Sequence, residues 1–216
     1  MSNILLISAP SAGKGVIAKY LREKYNLVHM SIGNLLREKS LNDEPLKKIL
    51  AEGNFANNEI VYNLFEKFLE ENSGANFVFD GFPRLIEQIK SFESILNKYN
   101  ISLDKVIYIN TDKDIAKKRI LGRLICKNCN EIYGKYLDNL DDLKCKKCGE
   151  NLYPRDDDKL STYENRYELF IQNTIPVIEY FKNRYDFYEV SNNGDINDTY
   201  NQIDEIMKGN DENDNN

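Results

Sequence analysis

Residues Asn3–Val16 read NILLISAPSAGKGV, and this stretch decides the fold. Asn3–Ser8 is an apolar run of strand length that breaks at Ala9-Pro10-Ser11-Ala12-Gly13-Lys14-Gly15. From Val16 to Tyr25 the apolar residues Val16, Ile17, Tyr20, Leu21 and Tyr25 recur at helical spacing. Strand, glycine-containing turn and helix in that order outline a phosphate-binding loop. Its backbone N–H groups face inward, and the positive end of the following helix faces the anion. Lys14 would reach the terminal phosphates of a nucleotide. The strict pattern asks for Gly at Ser8 and for Ser or Thr directly after the lysine, and neither is present. An ordinary tight turn bearing an exposed lysine is the plain alternative.

Working outward, Val28–Met30, Asn76–Asp80 (NFVFD), Lys105–Asn110 (KVIYIN) and Asp186–Val190 supply four further short apolar runs. Together with Asn3–Ser8 they predict a sheet of five strands. Between them the spacing is helical over 32–71, with polar breaks near Asn42-Asp43 and Gly53-Asn54 and a helix start at Asn57-Asn58-Glu59. Helices are also predicted over 85–99, 112–124, 159–184 and 195–208. Strands alternating with helices imply a parallel sheet covered on both faces, a three-layer α/β/α core. Ligands of such folds sit at the carboxyl ends of the strands, which puts Ser8–Gly15, Asp80–Arg84 and the turn after Asn110 on one rim.

The chain has 216 residues, 41% of them apolar and 30% charged, with a formal charge of −6. That composition suits a globular protein with a real core and argues against a fibre, a repeat array or wholesale disorder. An acidic chain is not drawn to nucleic acid or to anionic membranes, so any anion it binds must be held locally. The Ile4–Ile7 run is too short for a secretory signal or a membrane span. The expected location is the cytoplasm. The final residues, 209–216, are polar and expected to be disordered.

Residues 125–158 break the pattern and form an inserted polar module. It holds Cys126-x2-Cys129-x15-Cys145-x2-Cys148, a spacing that fits a four-thiolate zinc site with no open coordination position, and hence a structural one. Iron, free thiols and disulfides are the alternatives. Lys127, Lys144, Lys146 and Lys147 would also suit a zinc ribbon for nucleic acid, but Asp138, Asp141 and Asp142 dilute that charge.

Gly-Lys-Gly after a strand, Asp80-Gly-Phe-Pro-Arg84 with Gln88 four residues on, Arg119 and Arg123, Arg155-Asp-Asp-Asp158 and Arg166 follow one another in order. From Ile4 to about Lys208 this resembles the adenylate kinase family of nucleoside monophosphate kinases, in the form whose lid carries a cysteine cluster. The resemblance implies a P-loop core (1–30, 61–123 and 159–208), a helical monophosphate-binding arm (31–60) and a small zinc-bearing lid (124–158). It implies reversible phosphoryl transfer from Mg-ATP to AMP, giving two ADP, in a monomer with no nucleic-acid or membrane partner.

By the same resemblance, Ser11, Ala12, Gly13, Lys14, Gly15 and Val16 hold the phosphates of ATP, and Ile132, Tyr133 and the backbone near Gly194 pack on its base. Arg37 and Arg84 hold the phosphate of AMP. Ile32, Asn54, Phe55, Ala56, Gly81, Phe82 and Pro83 line the AMP side, and Gln88 contacts adenine through an amide that can donate and accept together. Arg119, Arg123, Arg155 and Arg166 close on the transferring group, the last two arriving with the lid and also serving the AMP side, because several phosphate charges must be neutralised at once. Asp80 orients the water shell of Mg²⁺, while capping of the following turn is its structural alternative. A polar residue on an exposed helix face is the corresponding alternative for Gln88.

Departures from the family pattern bear on activity. Ser8 and Ser11 stand where glycines are usual, Val16 and Ile32 where Thr is usual, and Asn34 where Asp is usual. A side chain at Ser8 or Ser11 crowds the turn wherever positive φ is required. With the lysine and arginines all present, a working kinase is expected. A UMP/CMP-type kinase and a non-catalytic nucleotide-binding relative are the alternatives. His29, the single histidine, is expected to pack in the core, and Tyr163, Tyr167 and Tyr180 to fill core or interface positions.

Overall fold

The computed structural model describes residues 2–129, 131–135, 140, 142–155 and 158–209. Of the residues singled out above, Asp138, Asp141, Asp156, Asp157 and the tail beyond Gly209 lie outside the described residues.

Five strands, β1 (Ile4–Ser8), β2 (Val28–Ser31), β3 (Phe77–Asp80), β4 (Lys105–Asn110) and the late strand Phe187–Ser191, form one parallel sheet. A second, antiparallel sheet is built from β5 (Arg123–Cys126), β6 (Ile132–Gly134) and β7 (Leu152–Pro154). With the late strand numbered β8, the main sheet runs in the order β2-β3-β1-β4-β8. The strand count and parallel sense predicted from alternation are what the chain adopts.

Both faces of the sheet are covered, and alternation along β1 shows how. Leu5 and Ile7 point into one apolar cluster, Ile4 and Leu6 into another. The first cluster is closed by α2 (Ile32–Ser40), α4 (Asn58–Glu71), α5 (Ile86–Lys98) and α8 (Ile175–Lys182), and is rich in aromatic rings, Phe65, Phe79, Phe82 and Phe92 meeting edge-to-face or stacked. The second is closed by α1 (Lys14–Tyr25) and α9 (Ile196–Lys208) through Ile17, Ala18, Leu21 and Ile203. Among the described residues no helix is long and apolar enough to cross a membrane.

The polar breaks fall where the sequence puts them. Asp43 caps α3 (Glu44–Glu52), its carboxylate accepting from the Leu46 N–H at 3.0 Å, and Gly53 ends that helix at φ +84°. Asn57 caps α4 by accepting from the Glu59 N–H at 2.7 Å. Two boundaries differ from the reading of the sequence. The helix expected over 112–124 is α6 (Lys113–Leu121), and it stops at Gly122 because Arg123–Cys126 pairs into the small sheet. Arg123 is therefore a strand residue.

The helix expected over 159–184 is α7 (Leu160–Leu169), a wide π-type turn (Phe170–Thr174) and then α8. Pro176, at the start of α8, cannot donate to the carbonyl four residues back and its ring crowds that carbonyl, so the chain widens just before it. The expected tyrosine roles hold. Tyr163 is fully buried and donates to the Lys113 carbonyl at 3.0 Å, Tyr167 packs against it, and Tyr180 donates to Glu93.

Candidate active site

The carboxyl ends of β1 and β3 lie side by side, with Leu6 registered opposite Asp80. The loop leaving β1 turns through Ser11 at φ +61° and Gly13 at φ +90° before α1 starts at Lys14. Two buried side chains from neighbouring strand ends pin its backbone. Asn192 donates to the Ala12 carbonyl at 2.7 Å, and the Thr111 hydroxyl reaches the same oxygen at 3.2 Å. A Cβ on residue 13 would collide with the Asn192 amide. Only glycine fits there, for its φ and for its lack of a side chain.

Lys14 extends from the first position of α1 and sets its ammonium 3.1 Å from one carboxylate oxygen of Asp80, while His29 Nε2 lies 3.3 Å from the other. Burial pushes the Asp80 carboxyl up, but Lys14 first and then His29 outweigh it and hold the group well below the usual carboxylate range. An ionised, oxygen-only donor at a strand's end has the chemistry to hold the water shell of a hard divalent cation.

Arg119 of α6 reaches the loop at Gly13. Its Nη1 would lie 3.7 Å from a Cβ on Gly13, is itself buried, and has no hydrogen-bond partner among the described residues. Burial alone lowers its pKa from the ordinary arginine value. A buried guanidinium N–H beside a loop of phosphate-binding form is suited to an anion's oxygen.

Arg84 lies in the turn after β3, within reach of the Asp80 charge. Its Nε donates to the Gly81 carbonyl at 2.8 Å, and its own carbonyl accepts from the Thr174 hydroxyl at 3.1 Å, a contact supplied by the π-type turn. Burial lowers the Arg84 pKa, the Asp80 charge opposes that shift, and Arg166 adds to it. Gly81 has φ +86°, and a Cβ there would lie 2.7 Å from Arg84 Nη2 and 3.1 Å from Ile32. Arg166, from α7, donates to the Leu50 carbonyl at 3.1 Å. Thr162 and Asn165 of the same helix take the Ala51 and Glu52 carbonyls at 3.0 and 2.9 Å. The carboxyl end of α3 is thus docked on α7.

The four cysteines converge in the small sheet. Their sulfurs lie within 4.8 Å of one another, with separations of 3.4 Å (Cys126 to Cys148), 3.5 Å (Cys129 to Cys145) and 3.6 Å (Cys129 to Cys148). None of them is in a disulfide. A tetrahedron of Zn–S bonds has an edge of about 3.8 Å, so the set can hold a metal ion.

A sequence model described as adenylate kinase matches residues 6–186. The chain belongs to the adenylate kinase family. It is similar to the adenylate kinase of Pelagibacter ubique, 36% identical over 95% of this chain and 99% of that one. It is also similar to those of Archaeoglobus fulgidus and Listeria innocua, each 34% identical, over 95% and 94% of this chain respectively and 98% of each relative.

Set against the residues that the adenylate kinase resemblance nominated, the geometry brings Lys14, Gly13, Asp80, Arg84, Arg119 and Arg166 around one rim. Others are placed differently. Arg123 forks onto the nearly buried Asp158 carboxylate in a bidentate ion pair, which ties the start of the small sheet to its end. Tyr133 is buried in that sheet's own core and its hydroxyl lies 3.4 Å from Cys145 Sγ, so of the Ile132-Tyr133 pair only Ile132 faces outward. Arg37 reaches the side chain of Asn34, one turn back on α2. Ile32 and Ala56 are buried, while Asn54 is spent on the docking of α3 through its contact with Asn165.

Gln88 is not on an exposed face. It is 3% exposed, with its oxygen engaged by the Arg84 and Leu85 N–H groups. His29 is only part-buried and its ring lies against Asp80 rather than in the apolar core. Ser8 stays in the strand, and only Ser11 takes positive φ. Sequence reasoning missed Asn192 and Thr111. Each is a polar residue just past the end of a strand, a faint signal that gains meaning only from partners far along the chain.

Proposed function

We propose that this chain transfers the terminal phosphoryl group of ATP to the phosphate of AMP, forming two ADP, through the residues gathered on this rim. The carrying observation is the Lys14–Asp80 pair at 3.1 Å, with the Nη1 of Arg119, unpartnered among the described residues, against the loop at Gly13 and with Arg84 within reach of the Asp80 charge. In the transfer the bond from the γ-phosphorus to the β-bridging oxygen breaks, and a bond to an AMP phosphate oxygen forms. Both reactants are anions, so the protein's work is positioning and charge stabilisation.

Lys14 and the loop N–H groups hold the donor phosphates, with Ser11, Ala12, Gly13, Gly15 and Val16 contributing backbone. Arg119 donates to the group in transit. Arg84, Arg166 and Arg37 hold the acceptor phosphate, and Gln88 contacts its base beside Gly81, Phe82, Pro83, Phe55 and Ala56. Arg123 and Arg155 join when the 124–158 lid closes and the Arg123–Asp158 pair rearranges. Ile132 and the Gly194 backbone border the donor base. Mg²⁺ accompanying ATP neutralises phosphate charge, and Asp80 is the residue that would orient its water shell. Zinc in the four-thiolate set holds the lid's shape. Action as a monomer in the cytoplasm, without nucleic acid or membrane, belongs to the same reading.

The test is turnover of AMP, GMP, UMP and CMP with Mg-ATP, in the unaltered protein and in Lys14→Met. AMP preference and a loss of at least about 100-fold in Lys14→Met are expected, the scale of one lost transition-state donor. Full ADP formation by Lys14→Met, or preference for a pyrimidine nucleotide, overturns the reading.

A further inference from the structure

We propose that Asn58 is a positioning and specificity-determining residue for the acceptor base, acting through Gln88; this rests on the reading of Gln88 as the base contact. Gln88 occupies the third position of α5, and its side chain folds back over the helix start. Its Oε1 accepts from the Arg84 N–H at 2.8 Å and the Leu85 N–H at 3.3 Å. Its Nε2 donates to Asn58 Oδ1 at 2.7 Å. Asn58 opens α4, and its Nδ2 donates to Glu87 Oε1 at 2.7 Å.

The orientation of both amides follows from chemistry at the two ends of this relay. An ionised carboxylate only accepts, so Glu87 requires the nitrogen of Asn58 to face it and the oxygen to face Gln88. Two backbone N–H groups only donate, so they require the oxygen of Gln88 to face them and its nitrogen to face Asn58. Neither amide can flip without placing donor on donor or acceptor on acceptor.

The consequence is a change in what Gln88 can offer a base. A carboxamide oxygen has two lone pairs and both are taken, while one of the two nitrogen-bound hydrogens is taken by Asn58. What is left is a single N–H. That donor matches the unprotonated ring nitrogen N1 of adenine. A 6-oxopurine presents N1–H at the same place, donor against donor, and such mismatches in a buried polar site discriminate strongly. Asn58 fixes the plane of the amide and so decides where its one remaining donor points.

The test compares the full chain with Asn58→Ala, Asn58→Asp and Gln88→Ala, measuring kcat and KM for AMP, KM for ATP, and the ratio of kcat/KM between AMP and IMP. Asn57, which caps α4, is left intact in each. Loss of one positioning hydrogen bond in Asn58→Ala is expected to raise KM for AMP about 5- to 10-fold and to narrow the AMP-to-IMP ratio by a similar factor. KM for ATP should stay put and kcat should not fall in step. Asn58→Asp keeps an acceptor for Gln88 but sets a second carboxylate against Glu87, so it is paired with Glu87→Gln, whose amide donates to it, and the double variant is expected to restore much of the ratio. Unchanged KM and ratio in Asn58→Ala, alongside a raised KM for AMP in Gln88→Ala, overturn this inference alone. An equal loss toward ATP and AMP overturns it as well, since a general structural defect would then account for the effect. Unchanged KM for AMP in Gln88→Ala overturns the base-contact reading beneath it.

Discussion

Lys19, on the outer face of α1, is ion-paired with Glu131 in the small cysteine-bearing sheet, and Lys147 approaches the same carboxylate at 3.8 Å. The helix that begins with the phosphate loop is therefore tied directly to the cysteine module. Glu131 also lends its backbone oxygen to the Cys126 N–H at 3.0 Å, so the ion pair and the cysteine turn share one residue. Lys19 is substantially exposed, which limits such a pair to about 0.5 kcal/mol and makes it sensitive to salt. Lys19→Met is expected to weaken ATP binding about twofold at low ionic strength, with no difference left near 1 M salt. Titration of ATP affinity against NaCl for both proteins checks this. A salt-independent difference would show that the pair does not hold the cysteine-bearing sheet against α1.

Ser11 stands in the left-handed region at φ +61°, two residues before Gly13 at φ +90°. An L-residue with a Cβ carries about 1–2 kcal/mol of strain there. Ser11→Gly removes that strain but gains flexibility in the unfolded chain, so the net stabilisation should be about 0.5–1 kcal/mol. A rise of roughly 1–4 °C in melting temperature is expected for a chain of this size. A lower melting temperature would mean that the Ser11 side chain makes compensating contacts.

Much of this was legible in the sequence because the relevant signals are local. Buried parallel strands read as short apolar runs, and NILLIS, NFVFD and KVIYIN became β1, β3 and β4 within a residue. Asp43, Gly53 and Asn57 marked helix ends because caps are chosen by nearby backbone. Helical spacing runs on through Arg123 because the strand pairing that overrides it is not visible in periodicity. The resemblance puts Ile132 and Tyr133 together at the donor base, and it carries no information on which of two adjacent strand residues turns inward. The relay from Glu87 through Asn58 to Gln88 is hidden for a different reason: Asn58 lies about 30 residues from the adjacent Glu87 and Gln88, and Asn58 and Glu87 read as ordinary surface polar residues.

The small sheet has little apolar core beyond Leu124, Tyr133 and Leu152 packed around the cysteines. A unit of that size needs a cross-link or a metal to stay folded. With zinc bound, the native protein should expose fewer than about one reactive thiol per chain, and chelator should release about four, matching the four cysteines. Thiol titration with and without chelator, alongside zinc content, measures both. Four thiols reacting at once in protein that has never met chelator would remove the metal from the account.

Acid sensitivity has an identifiable source away from the site. Asp204 of α9 accepts from the hydroxyls of Tyr20 and Tyr25, both at 2.7 Å, and from Lys24. Burial raises its pKa, but the hydrogen bonds from Lys24, Tyr25 and Tyr20 more than offset this and leave the group below its ordinary value. A depressed folded pKa means the stabilisation is fully present above the unfolded value of about 3.9 and is lost as pH falls through the folded one. Tyr25 acts with the opposite sign: burial and then Asp204 raise its pKa, so its contribution holds below about pH 10 and fades above it. Asp204→Asn should therefore cost about 1–3 kcal/mol at pH 7 and progressively less as pH falls below about 3.9 and through the folded value. Melting curves of the two proteins across this range decide it. A gap that stays constant with pH would assign the loss to packing of α9 on α1 instead of to the carboxylate's charge.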